Sequence, residues 1–196
     1  MDTILNICQL NHENKDESEP IFIPSNIFND NFQNAVKIGN INYVKIFMNN
    51  LFSNKFVAQD DNKALCTAAQ ENHFEIVEYL LSFQPVKDNA HCKGNYILRW
   101  ASYYGYIYIV ILLLKLPNVS ATANYLNNQA LYYACMNEHR TVVEYLLRIP
   151  VIRNNITDEI RMKALIHNQQ NEITNNISEF QNSSTTIYTM ITNITN

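Results

Sequence analysis

The chain has 196 residues, a formal net charge of −4 and a pI near 5.7, which excludes the strongly basic composition typical of nucleic-acid-binding proteins. A hydrophobic content of 47% is sufficient for a folded core and excludes a chain that is disordered throughout. The four cysteines, Cys8, Cys66, Cys92 and Cys135, are widely spaced, so they predict reduced thiols rather than a disulfide framework.

Residues 1–24 are predicted to form an N-terminal segment that ends in a charged linker at 12–19. The first residues lack a basic stretch followed by an apolar stretch, so no secretory signal peptide is expected. The longest apolar stretch covers 106–114, far short of the ~20 residues that span a membrane. We therefore expect a cytoplasmic protein without a membrane span.

From residue 25 onwards the sequence repeats itself every 33 residues without a gap. Five apolar columns recur on this grid through four repeats, which predicts a repeat array over 25–154. The columns hold Phe32, Leu65, Leu98, Leu131; Ala35, Ala68, Ala101, Ala134; Val44, Val77, Val110, Val143; Phe47, Leu80, Leu113, Leu146; and Met48, Leu81, Leu114, Leu147.

Each repeat contains two apolar stripes with helical spacing. Leu65, Ala68 and Ala69 form the first stripe, and residues 76–81 carry the second, with a turn at 72–73 between them. Neither helix can bury its stripe alone, so neighbouring repeats must stack into an all-α solenoid of paired antiparallel helices. Connecting segments such as 86–95 are predicted to form projecting hairpin loops, and Pro117 and Pro150 to stop the second helices.

Residues 63–69, KALCTAA, and 72–81, NHFEIVEYLL, resemble the two helices of an ankyrin repeat. The family pattern is T-P-L-H-x-A-A followed by G-H-x-E-I-V-x-x-L-L, and the resemblance covers roughly 25–180. It implies a binding module that is not an enzyme and needs no cofactor. The chain departs from the pattern mainly in its loops, so a less rigid array is expected. Where the family pattern has His, this chain has Gln33, Cys66, Arg99 and Tyr132. Where it has a glycine before the first helix, the chain has Asp61, Gly94 and Asn127, and where it has a glycine between the helices, the chain has Gly39, Asn72, Gly105 and Glu138.

The C-terminal region carries a weaker version of the pattern. His167 stands where the grid expects alanine, and Asn175, Asn176 and Glu179 fill apolar columns. A degraded capping repeat over 155–181 is therefore predicted, because a terminal repeat exposes its outer face to water. Residues 182–196 are predicted to be a polar tail.

Catalytic and metal sites find little support in the sequence. His91 and Cys92 are adjacent, but a zinc site needs two further ligands and none lies at short spacing, so no metal is expected. Cys66 and Cys135 are predicted to pack in the core. His73 and His139 fall in the turn between helices, where a turn hydrogen bond is expected.

The first helices line the concave side of an ankyrin array, and there the third repeat is aromatic. It carries Trp100, Tyr103 and Tyr104 in columns that hold Thr67, Gln70 and Glu71 in the second repeat. Such residues are enriched in protein interfaces. Trp100 and Tyr133 share one column and are expected to be neighbours, either exposed or packed between repeats. The predicted partner-binding residues are Trp100, Tyr103, Tyr104, Tyr125, Leu126, Tyr133 and Met136.

A second contact is predicted at Tyr108 and Ile111, which occupy columns of the second helix that are charged or polar in the neighbouring repeats. A helix that is apolar on every face is usually covered. The candidates to cover it are a second copy of the chain or its own N-terminal segment around Ile4, Leu5 and Ile7.

Together these features predict a protein-binding module that uses the concave face of repeats three and four and binds no nucleic acid. The composition, rich in Asn and Ile, resembles that of ankyrin proteins secreted by intracellular bacteria and of some protists and large viruses. If the chain is a secreted effector, its partner is a host protein and it acts in the host cytosol. Two alternatives stay open: a targeting module for an enzyme on another chain, and a structural protein that self-associates. The chain is expected to be a monomer or a weak dimer.

Overall fold

The computed structural model describes residues 25–49, 57–158 and 160, and in these residues the chain is helical and contains no strand. Each repeat has a long first helix and a shorter second helix, and repeats two to four add a short third helix. The helices are α1 (Ser25–Lys37), α2 (Ile41–Met48), α3 (Gln59–Gln70), α4 (Phe74–Leu80), α5 (Gln84–Asp88), α6 (Cys92–Tyr104), α7 (Ile107–Leu114), α8 (Pro117–Ala121), α9 (Tyr125–Met136), α10 (Arg140–Leu146) and α11 (Pro150–Arg153).

The apolar columns form the core. Ala68, Ala101 and Ala134 are fully buried, and the small side chain lets the neighbouring helices approach closely. The second-helix columns are buried in the same way, with Leu113 and Val110 wholly inaccessible to solvent. The prediction of an all-α repeat solenoid is confirmed.

A tight turn with one left-handed residue ends every first helix. The left-handed residues are Gly39, Asn72, Gly105 and Glu138, with φ between 56° and 76°. After each one, a backbone N–H donates to the carbonyl of the column alanine five residues earlier, as in His73 to Ala68 at 2.8 Å. This is a Schellman helix stop, which requires a left-handed residue and therefore favours Gly or Asn.

The connections between repeats differ from the predicted hairpins, so that prediction is wrong. The segment after α4 forms the short helix α5, and equivalent short helices follow α7 and α10. The prolines lie in the first turn of these short helices and do not only end the preceding ones. Proline fits there because it has no backbone N–H, and the N–H groups of a first helical turn have no acceptor within the helix. Left-handed turns of three consecutive residues with positive φ lie at 60–62, 93–95 and 126–128, and the latter two follow the short helices α5 and α8.

A buried asparagine closes each left-handed turn. Asn62, Asn95 and Asn128 are at most 1% exposed and lie 33 residues apart. Each donates its side-chain amide to a carbonyl 24 residues later, in the short helix of its own repeat, at 2.9–3.2 Å. The amide thereby ties the short helix to the start of the first helix, a role that the sequence analysis did not recognise.

Several predictions concern residues outside the described part of the chain. These are the N-terminal segment 1–24 with Ile4, Leu5 and Ile7, most of the capping repeat 155–181, and the tail 182–196. The first described helix begins at Ser25, and Ile160, within the predicted capping repeat, is buried.

Candidate protein-interaction surface

The first helix of repeat three presents a row of large side chains on one face. Tyr96, Trp100 and Tyr104 follow one another at four-residue spacing, with Tyr103 beside them. Residues with this spacing lie one above the other on a helix surface. Together with Arg99 and with Tyr133 of repeat four, these side chains line an open groove of about 310 Å³, which we call the aromatic groove.

The rings of the aromatic groove contact one another continuously. Trp100 lies 5.9 Å from Tyr96 and 4.9 Å from Tyr104, measured between ring centroids. Tyr103 meets Tyr104 at 4.8 Å and crosses to Tyr133 edge-on at 5.5 Å. Trp100 and Tyr133 therefore line one groove, and the ring contact between the two repeats is made by Tyr103 with Tyr133. Such mutual packing holds each ring in a defined orientation.

Exposure differs along the groove. Tyr103 and Tyr104 are 42% and 44% exposed, whereas Trp100 and Tyr133 are half-buried. The indole Nε1 of Trp100 is buried and has no acceptor among the described residues, which is uncommon for a buried donor. Tyr133 packs against a ring of the preceding repeat, whereas the rings that contact Trp100 belong to its own helix; both residues line the open groove.

Arg99 is the single charged residue that lines the groove. Its guanidinium donates to the carbonyls of Lys93 and Gly94 and to Oε1 of Gln129, and it lies over the ring of Tyr96 at 5.9 Å. The ion pairs described in the structure do not include Arg99. Its positive charge is therefore fixed in place at the groove, and no acidic side chain of the described residues forms an ion pair with it.

The remaining predicted residues belong to helix α9 and do not line the groove. Tyr125 and Leu126 open α9 and are 47% and 54% exposed, and Leu126 holds the left-handed conformation at φ 51°. The ring of Tyr125 covers Gly94, so closely that a Cβ there would lie 2.0 Å from the ring. Met136 is half-buried near the end of the same helix.

The second helices form a different surface. Tyr108 is 69% exposed and touches Phe74 of repeat two, with ring centroids 5.8 Å apart. Ile111 is half-buried. Of the two residues predicted for a second contact, Tyr108 is thus the more accessible.

The turn histidines connect neighbouring repeats. His73 hydrogen-bonds through Nε2 to the carbonyl of Lys37, and His139 does the same to Tyr103, both at 2.9 Å. The predicted hydrogen bonds are present, but they run between repeats rather than within a turn. Gly39 leaves the space that the ring of His73 occupies, because a Cβ there would lie 2.5 Å from the imidazole.

The three described cysteines differ in burial, because Cys92 and Cys135 are buried and Cys66 is half-buried. Cys135 is buried in the core, as predicted, and burial raises the pKa of its thiol to about 12. Cys66 packs against the edge of the core and is half-buried, next to Cys92 at the contact between repeats two and three. Among residues 25–49, 57–158 and 160, no group of three or more Cys, His, Asp or Glu side chains is arranged to hold a metal ion.

A family model described as "Ankyrin repeats (3 copies)" matches residues 32–124 and 84–158, together more than half of the chain. The chain belongs to the ankyrin-repeat family. Ankyrin repeats are in general protein–protein interaction modules and typically lack catalytic activity. No similar sequence was found among curated proteins. None of the described helices of this ankyrin array is both long and apolar enough to cross a membrane.

Proposed function

We propose that the chain binds a partner protein in the aromatic groove, on the face formed by the first helices of repeats three and four. The observation that carries this proposal is the row of rings at Trp100, Tyr103 and Tyr104, of which the two tyrosines are exposed. Their equivalents in repeat two are Thr67, Gln70 and Glu71, so the repeat fold itself does not require aromatic residues there. Neighbouring repeats with the same fold thus differ where a partner would contact them.

The groove has the physical properties of a binding hot spot. Aromatic rings bury a large area when a partner binds. The rings of the groove already pack against one another, so binding costs little side-chain conformational entropy. The buried Nε1 of Trp100 leaves a donor that a small ring movement offers to a carbonyl of the partner. Tyr125 and Leu126 extend the apolar surface at the edge of repeat four.

Charge indicates which kind of segment fits. The groove offers five rings and one cation, Arg99. We therefore expect a partner segment with an apolar or aromatic side chain between the rings and a carboxylate near Arg99. Single-stranded nucleic acid also stacks on aromatic rings, but it requires a row of cations along its backbone, and the groove supplies only Arg99.

The test compares affinity capture by the wild-type chain and by Tyr103→Ala/Tyr104→Ala. A control of similar size is Lys63→Ala/Glu71→Ala, which removes two exposed side chains of repeat two from the columns that hold Tyr96 and Tyr104 in repeat three. We expect the groove variant to lose a specific partner that the control retains, with circular dichroism unchanged for both. Equal capture by all three proteins would show that binding, if any, uses another surface.

Self-association is a second candidate because Tyr108 exposes most of its ring on the second-helix side. If this side contacts a second copy, sedimentation will show a dimer that dissociates in Tyr108→Ala and Ile111→Glu. A wild-type monomer at all accessible concentrations would exclude this function. The roles as a secreted effector or as the targeting module of an enzyme stay predictions, and the identity of the captured partner decides between them.

A further inference from the structure

Two cysteine thiols meet where the second repeat contacts the third. The Sγ of Cys92 lies 3.1 Å from the carbonyl oxygen of Asp61, and the Sγ of Cys66 lies 3.8 Å from the same oxygen. Both thiols thus approach the same carbonyl oxygen. Cys66 belongs to helix α3 and Cys92 is the first residue of α6, so the pair bridges two repeats.

The repeat geometry supports this juxtaposition independently of the two sulfur atoms. At the next interface the equivalents of Cys66 and Cys92 are Arg99 and Tyr125, and Gly94 is the equivalent of Asp61. The guanidinium of Arg99 donates to the carbonyl of Gly94, and the ring of Tyr125 covers that same glycine. The two columns therefore converge on the left-handed turn at both interfaces, and only the earlier interface fills both with cysteine.

We propose that Cys66 and Cys92 form a reversible disulfide that links repeat two to repeat three. The oxidant is a low-molecular-weight disulfide of the glutathione class. The ion pair between Lys93 and Asp61, at 3.3 Å, crosses the same interface and holds the two segments together. This inference does not depend on the proposed function of the aromatic groove.

The chemistry balances as two successive thiol–disulfide exchanges. The Cys92 thiolate attacks one sulfur of the small disulfide, the S–S bond breaks, and one thiolate leaves with the electron pair. Cys66 then loses its proton to water and attacks the Cys92 sulfur of the mixed disulfide, which releases the second small thiolate. Two protein thiols are oxidised to one disulfide, and one small disulfide is reduced to two thiols.

The local electrostatics favour the first step. A hydrogen bond from the Cys66 thiol stabilises the Cys92 thiolate and lowers the pKa of Cys92 to about 7. The same hydrogen bond, together with burial, raises the pKa of Cys66 above its ordinary value. Cys92 is thus the first nucleophile, and Cys66 becomes an ordinary thiol once Cys92 carries the mixed disulfide.

The experiment uses the full chain with Cys8→Ser and Cys135→Ser, which leaves only the pair. The protein is equilibrated with defined ratios of reduced to oxidised glutathione and quenched with acid, and its intact mass and disulfide-linked peptides are measured. We expect the loss of two hydrogen masses, a linked peptide joining Cys66 to Cys92, reversal by reductant, and a higher midpoint of thermal unfolding for the oxidised form. Adding Cys92→Ser should leave only a stable mixed disulfide on Cys66.

The comparison with unfolded protein makes the test decisive. In denaturant a flexible loop separates the two cysteines. We therefore expect the equilibrium constant for forming the protein disulfide from glutathione disulfide to be more than about tenfold smaller than in the folded protein. Mixed disulfides on both cysteines of the folded protein would overturn the proposal. Equal equilibrium constants for the folded and unfolded chains would also overturn it, because the fold would then contribute nothing to pairing.

Discussion

Replacing Asn95 tests how the left-handed turns are held. Its side-chain amide is buried and donates to the carbonyls of Val119 and Thr122, at 3.2 and 2.7 Å. A net contribution of about 0.5–1.5 kcal/mol for each hydrogen bond gives about 1–3 kcal/mol for the pair. Alanine at φ 56° adds about 1–2 kcal/mol of backbone strain, so we expect Asn95→Ala to cost about 2–5 kcal/mol.

Two further variants separate the contributions of the side chain and the backbone. Asn95→Gly removes the hydrogen bonds but tolerates the left-handed conformation, so about 1–3 kcal/mol should be lost. Asn127→Ala places the same strain at an exposed residue with φ 55° that makes no equivalent buried bond, and should cost about 1–2 kcal/mol.

The assay is urea denaturation at equilibrium, followed by circular dichroism. A cost below about 0.5 kcal/mol for Asn95→Gly, the size of an ordinary surface effect, would refute the role assigned to the buried amide. An equal cost for Asn127→Ala and Asn95→Ala would show that only backbone strain matters.

Three other variants address the core, a strained turn and the paired thiols. Leu113→Ala should cost about 2–5 kcal/mol in the same denaturation assay, because the side chain is fully buried in the second-helix column. Glu138→Gly should instead stabilise the array by about 0.5–1 kcal/mol, since glutamate holds φ 56° at a helix stop; a loss of stability would contradict this. Alkylation of Cys92 should accelerate as pH rises through about 7, while Cys135, whose pKa burial raises to about 12, stays unreactive. In Cys66→Ala the acceleration should shift to higher pH, and an unchanged profile would show that Cys66 does not stabilise the thiolate.

The period of 33 residues predicted the fold well because core packing repeats with the sequence. The burial of a column such as Leu80, Leu113 and Leu146 can be predicted from the sequence, since each member fills the equivalent space in its own repeat. The left-handed residues at the helix stops were also foreseeable, because glycine or its substitutes appear in one column. The short helix after each second helix was missed, since its apolar content is a single buried residue such as Val86.

The aromatic groove was only partly predictable. The columns of Trp100, Tyr103 and Tyr104 were found by comparison between repeats, since a side chain that the fold does not need stands out there. The positions of Tyr96 and Arg99 in the groove were missed, because a sequence does not reveal which hydrogen bonds orient a guanidinium. The meeting of Cys66 with Cys92 was missed for a similar reason: it depends on two columns that converge only in three dimensions.

The central claim is that repeats three and four bind a partner through the aromatic groove. The most direct test is the dissociation constant of the captured partner, measured by calorimetry for the wild type, for Tyr103→Ala/Tyr104→Ala and for the control Lys63→Ala/Glu71→Ala. At about 2 kcal/mol for each anchoring ring, the groove variant should bind on the order of a thousandfold more weakly, while the control keeps wild-type affinity. Wild-type affinity in the groove variant, with an unchanged free energy of unfolding, would contradict the claim.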